Sequence, residues 1–147
     1  MELKFAVHTK IQKPVAEVFD AVRNPEKLAK YFATGGASAP LEEGKTVTWR
    51  WHDFPDAVGE VHVKKVIANQ RIVFEWEASD GGYNTRCEIK FESLGAKQTL
   101  VTITESGWKD TEAGRKSSYG NCMGWTEMLD ALKAWLEYGI NLRQGAY

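Results

Sequence analysis

Between Thr46 and Ser106 the chain alternates apolar and polar residues in five consecutive segments, 46–53, 58–67, 71–78, 84–93 and 98–106. Only the turn sequences DFPDA, ANQ, SDGGY and LGAK separate them. Alternation with period two puts one set of side chains on each face of a strand. Connections this short cannot hold the crossover that a parallel pair needs, so the segments form an antiparallel meander. The charges fix its phase. Val47, Trp49, Trp51, Val61, Val63, Ile72, Phe74, Trp76, Cys87, Ile89, Phe91, Val101 and Ile103 face inward. Arg50, His52, Glu60, His62, Lys64, Glu75, Glu77, Arg86, Glu88, Lys90 and Glu92 make a mixed-sign outer lattice suited to water and cross-strand pairing.

A sixth strand precedes these: LKFAVHTKI alternates Leu3, Phe5, Val7, Thr9 and Ile11 against Lys4, His8 and Lys10. KPVAEVFDAV then spaces Val15, Val18, Phe19 and Val22 as a short amphipathic helix with Pro14 in its first turn. Asn24 and Pro25 supply a cap and first-turn pair for a second short helix presenting Leu28, Tyr31 and Phe32. The Gly/Ala/Ser/Pro-rich stretch 33–44 reads as a mobile surface loop.

The dry sheet face needs a cover, and NCMGWTEMLDALKAWLEYGINLR provides a long helix. Cys122, Trp125, Leu129, Leu132 and Leu136 step by three and four, widened by Met128, Ala131 and Trp135. Six strands span roughly 29 Å, whereas a helix is about 10 to 12 Å across. The sheet must therefore curl around the helix, and space left between them becomes an apolar cavity.

Composition narrows the classes of function. Nineteen Lys and Arg against twenty Asp and Glu give a net charge of −1, with no basic excess for nucleic acid or anionic lipid. No apolar run reaches membrane-spanning length and the N-terminus MELKFAVHTK lacks a signal-peptide core, so a cytoplasmic protein is expected. Cys87 and Cys122 are too few and too far apart for a zinc cluster or redox motif. His8, His52 and His62 fall on outward phases, so no metal site is expected. The absence of G-x-S-x-G, a phosphate loop and H-E-x-x-H leaves no cofactor or nucleophile motif.

The run KPVAEVFDAVRNPEKLAKYF after a first strand, GEV, RIVFEW, TLVTITESGW and GWTEMLDALKAWLE occur in an order that resembles the activators of heat-shock-protein-90 ATPase. That family lies within the START-like (SRPBCC), birch-pollen-allergen-like superfamily, and the resemblance covers essentially the whole chain. It implies an α+β helix-grip fold over residues 1–147 as one domain: a curved antiparallel sheet of six to seven strands around a long C-terminal helix, with two short N-terminal helices. It also implies, by its name, a heat-shock chaperone as a partner and a role in stress response.

The candidate ligand-contacting set is Trp49, Trp51, Trp76, Cys87, Glu105, Asn121, Trp125 and Met128. Two readings of the four tryptophans stand: solid core filling, or aromatic walls of a pocket. Glu105 continues the inward phase of Val101 and Ile103, where a dry, unpaired carboxylate is costly. Near the strand's end it is open to solvent or a positive partner, so a structural role, a ligand-orienting role and an acid/base role all remain. Asn121 adds a polar contact one turn before Trp125, and Thr85 and Thr99 add hydroxyls. Binding of a small apolar or aromatic molecule is the first functional expectation, ahead of chaperone interaction and of a cyclase- or hydrolase-type enzyme. An exposed strand edge or part of the 33–44 loop also allows a homodimer.

Overall fold

The computed structural model describes all 147 residues, in the order β1 (Leu3–Ile11), α1 (Val15–Arg23), α2 (Pro25–Leu28), β2 (Gly36–Ala37), β3 (Thr46–Trp51), β4 (Phe54–Ile67), β5 (Arg71–Glu77), β6 (Asn84–Gly95), β7 (Gln98–Trp108) and α3 (Glu112–Tyr138). One antiparallel sheet runs β1-β7-β6-β5-β4-β3-β2. It is the curved helix-grip sheet that the alternation implies. Val47, Trp49, Val61, Phe74, Cys87, Ile89, Phe91, Val101 and Ile103 are buried in one core with Trp125, Met128, Leu129 and Leu132 of α3. The outer lattice pairs across strands, with Arg71 at 2.6 Å from Glu88 and Arg86 at 3.5 Å from Glu75.

The local signals act as expected at the first helices. Asn24 Oδ1 accepts from the Glu26 and Lys27 amides at 3.0 and 3.4 Å, closing the N-terminus of α2. Tyr31 and Phe32 are buried but lie in the turns beyond this four-residue helix.

Three features depart from the alternation. The 33–44 stretch is fastened rather than mobile: Gly36 and Ala37 pair with Arg50 and Trp49 as a seventh strand, and Ala33 and Leu41 are buried. Gly35 makes this possible, since a Cβ there would stand 2.8 Å from Trp51 N. The DFPDA segment is largely strand: β4 begins at Phe54, and a register shift between Val63 and Lys65 breaks its phase and bends it. Finally, α3 starts at Glu112 and stops at Tyr138, earlier at both ends than the expected segment 121–143. Its first turns pack through Gly114, Ser117 and Ser118, too small to register as a stripe. Gly139 at φ 69° ends it, and the Ile140 N–H returns to Ala134 O at 3.3 Å.

Candidate functional site

Glu105 anchors the site region. Its β7 position faces Cys87 of β6, whose inward neighbour Thr85 faces Trp76 of β5. The same register that builds the sheet therefore converges these side chains under the first half of α3. Thr85 Oγ1 donates to Glu105 at 2.6 Å, Trp76 Nε1 at 3.0 Å and Trp125 Nε1 at 2.8 Å, and Asn121 Nδ2 reaches both oxygens at 3.1 Å. Glu105 is 1% exposed and has no cationic partner, contrary to the expectation of solvent or positive charge at the strand's end. Neutral donors surround it, two of them indoles, and both oxygens are engaged. Such a carboxylate ties three strands to the helix but offers a reacting group no free oxygen.

Cys87 lies behind it, fully buried. Burial, reinforced by the neighbouring Glu105 charge, pushes its thiol well above its ordinary range. The thiolate a nucleophile needs is disfavoured.

The aromatic side chains divide between core and wall. Trp125 is sandwiched between Trp76 and Phe32, with ring centroids 5.4 and 5.6 Å apart and planes within 27°. Trp49 is 1% exposed and meets Phe32, Phe74 and Trp76 edge-on; its Nε1 has no hydrogen-bond partner. Core filling is thus the observed role of Trp49. Trp51 and Trp76, half-buried, both lie against the β4 backbone at Gly59, where a Cβ would be 3.2 Å from Trp51 Cη2 and 3.6 Å from Trp76 Cε3.

Open space exists beside this cluster. A solvent-open hollow of 280 Å³, the chamber of the following text, lies between the sheet and α3; Phe32, Trp51, Trp76, Asn121 and Trp125 line its inner side, and Arg143 with the exposed Phe54, Met123 and Tyr147 line its mouth. Four of the eight candidate residues border it: Trp51, Trp76, Asn121 and Trp125. Trp49, Cys87 and Glu105 stand behind the wall, and Met128 borders a separate 260 Å³ hollow on the other side of the tail. Gly120 and Gly124, one turn apart on α3, leave the chamber open, because a Cβ at either would meet nothing within 4 Å. This pair was legible in GNCMG as an i, i+4 repeat that weakens a helix without local need.

The mouth had no sequence signal. Beyond Gly139 the chain folds back, and Arg143 pairs with Asp53 of the β3–β4 turn at 2.8 Å, with both side chains at most 13% exposed. The Arg143 guanidinium also lies 4.9 Å from the Tyr147 ring centroid, while the Tyr147 hydroxyl donates to Glu127.

A model of the family described as Activator of Hsp90 ATPase homolog 1-like protein matches residues 12–137. The chain belongs to this family. Among solved structures, a Staphylococcus saprophyticus protein is 32% identical, with a TM-score of 0.77 over 95% of this chain and 96% of that one. DynU16, from the dynemicin biosynthetic locus, is 26% identical with a TM-score of 0.78, covering 95% of this chain and 49% of its own. The Aha1 dimer of Colwellia psychrerythraea shares the fold at 22% identity and a TM-score of 0.75, over 92% of this chain and 97% of that one. No curated protein matches the sequence. Members of this family with the helix-grip fold thus provide the frame in which the chamber sits. No helix of the structure is long and apolar enough to cross a membrane.

Proposed function

We propose that the protein binds a small aromatic or apolar molecule in the chamber between the sheet and α3. The observation that carries this reading is a set of ring walls, Phe32, Trp51, Trp76 and Trp125, beside space that two helix glycines leave unfilled. Indole walls favour planar, polarisable ligands, and Asn121, Glu127 and Arg143 are polar groups at the chamber's edge. DynU16, whose locus is that of dynemicin biosynthesis, supports a small molecule as the class of partner.

Glu105 then acts as a positioning residue, holding Trp76, Trp125 and Asn121 at the chamber wall rather than moving protons. The test is tryptophan emission and thermal denaturation against a panel of aromatic and apolar compounds. A ligand at 100 times its Kd stabilises the folded state by about 2.7 kcal/mol, raising Tm by roughly 5 to 11 °C. Gly124→Leu, which puts a side chain into the open space, abolishes that shift while the variant remains folded. A panel without any shift or quenching, or a ligand indifferent to Gly124→Leu, overturns the reading.

The family description favours a second reading, engagement of a heat-shock chaperone. It uses the outer face of the sheet or the 33–44 segment, not the chamber. Co-purification with the chaperone and stimulation of its ATPase support it; neither effect at micromolar protein rejects it.

A further inference from the structure

The chamber and the second hollow are consecutive stretches of one groove along α3. The chamber is bordered on the helix by Gly120, Asn121, Gly124 and Glu127, and the second hollow by Glu127, Met128, Asp130 and Ala131. The helical rise makes the run from 120 to 131 about 17 Å long. Off the helix the border is continuous too, since Phe32 lines the chamber and its neighbour Tyr31 the second hollow. What divides the groove is the segment after Gly139. Arg143 and Tyr147 border both hollows, and the Tyr147 hydroxyl lands on Glu127, the helix residue that the two share.

Side chains alone fasten this segment. Beyond Ile140 none of its backbone groups bonds to the sheet or to α3, and its one backbone bond, from Ala146 N–H to Arg143 O, is internal. The fastening consists of the Arg143–Asp53 pair, the Tyr147 ring against Arg143 and against Phe54, 5.1 Å between ring centroids, and the Tyr147 hydroxyl on Glu127. The ion pair is only half made. Arg143 Nη2 donates to Asp53 Oδ1 at 3.1 Å, but Nε, 2.8 Å from Oδ2, is not aligned to bond to it, and both of those atoms are buried without a hydrogen-bond partner. A buried pair with unsatisfied polar atoms recovers less of the cost of leaving water. A segment with few contacts and no backbone anchor opens well below the free energy of global unfolding.

We propose that segment 139–147 is an autoinhibitory strap: closed, it splits the groove and admits only a molecule that fits the chamber, and lifted, it exposes one continuous site for an elongated aromatic or apolar ligand. The proposal rests on the small-molecule reading and adds the length of the ligand and the device that selects it. Size agrees. Hollows of 280 and 260 Å³ each fall short of the roughly 300 Å³ at which small-molecule pockets begin, and joined they exceed it. The joined groove also brings Met128 into the same site as Trp51, Trp76, Asn121 and Trp125.

Two measurements on the whole chain test it. Trypsin cleavage after Arg143, followed by mass spectrometry, requires the buried guanidinium to leave Asp53 and so tracks the open fraction. Tryptophan emission follows binding of naphthol methyl ether, short enough for the chamber, and of naphthol ω-hydroxyoctyl ether, whose chain runs past Glu127. A ligand that binds only the open form has its apparent affinity lowered by the open fraction. Asp53→Asn is therefore expected to raise the cleavage rate and the long ether's affinity by the same factor, about tenfold, with the short ether's affinity unchanged. Tyr147→Ala, at an exposed side chain, raises both without leaving a buried charge unpaired. In the wild-type chain the long ether accelerates cleavage and the short one does not. Cleavage and long-ether affinity that move in neither variant, a long ether that binds without exposing Arg143, or one that fails to bind where the short ether succeeds, overturns the strap and leaves the chamber reading standing. Failure of the short ether in every variant, together with a blank aromatic panel, overturns both.

Discussion

At the scale of single residues, Glu105 shows how burial turns a potentially reactive group into a structural one. Four side chains from β5, β6 and α3 donate to it, and a carboxylate has only acceptors to offer in return. Glu105→Gln keeps the shape but presents an NH2 group to some of those donors. It should lower stability by about 3 kcal/mol, or roughly 6 to 12 °C in Tm, since hydrogen bonds to charged groups contribute about 1.5 to 3 kcal/mol each. The change should also alter tryptophan emission, because two of the donors are indoles. A variant with wild-type Tm and emission would show that the network contributes little.

At the scale of elements, α3 separates two uses of glycine. Gly114 is required by space: a Cβ there would lie 1.9 Å from Lys109 O, so the approach of β7 to the helix N-terminus depends on a missing side chain. Gly120 and Gly124 have no such constraint, and a helix-interior glycine costs about 0.5 to 1 kcal/mol relative to alanine. Gly120→Ala should therefore raise stability in urea titration by about that amount, whereas Gly114→Ala should lower it by more than 2 kcal/mol. If Gly120→Ala were the destabilising one, the chamber would be tighter than its walls indicate. The helix's sequence thus gives up local stability where the chamber needs room.

At the scale of the whole molecule, α3 is locked to the sheet's β1 edge by Glu137, which receives Gln12 N at 3.1 Å and Lys133 Nζ at 2.6 Å. Burial pushes its carboxyl up, but Lys133 and the Gln12 amide outweigh that effect and hold it below its ordinary value of 4.5. A group with a depressed folded pKa contributes stability that is present above the unfolded pKa and lost as pH falls through the folded one. Urea stability should decline below about pH 4.5, and Glu137→Gln should remove part of that slope. At neutral pH the substitution should cost about 1 kcal/mol, a modest figure because Lys133 keeps 35% of its side chain in solvent. An unchanged acid limb would reject the lock.

Alternation, short turns and helical spacing determined the β3-to-β7 meander, the inner and outer faces and the long cover, because periods of two and 3.6 are local properties of the chain, whereas the place of β1 beside β7 and the β2 pairing came only with the tertiary structure. They also determined that Trp49, Trp51, Trp76, Glu105, Asn121 and Trp125 would point into one region. Tertiary structure decided which of these rings fill the core and which border space, since that depends on where helix side chains are missing. It also decided the fate of Glu105's charge, which neutral donors from three elements satisfy, and the return of Arg143 to Asp53 across 90 residues. Such contacts join residues distant in sequence, and no repeat or spacing along the chain records them.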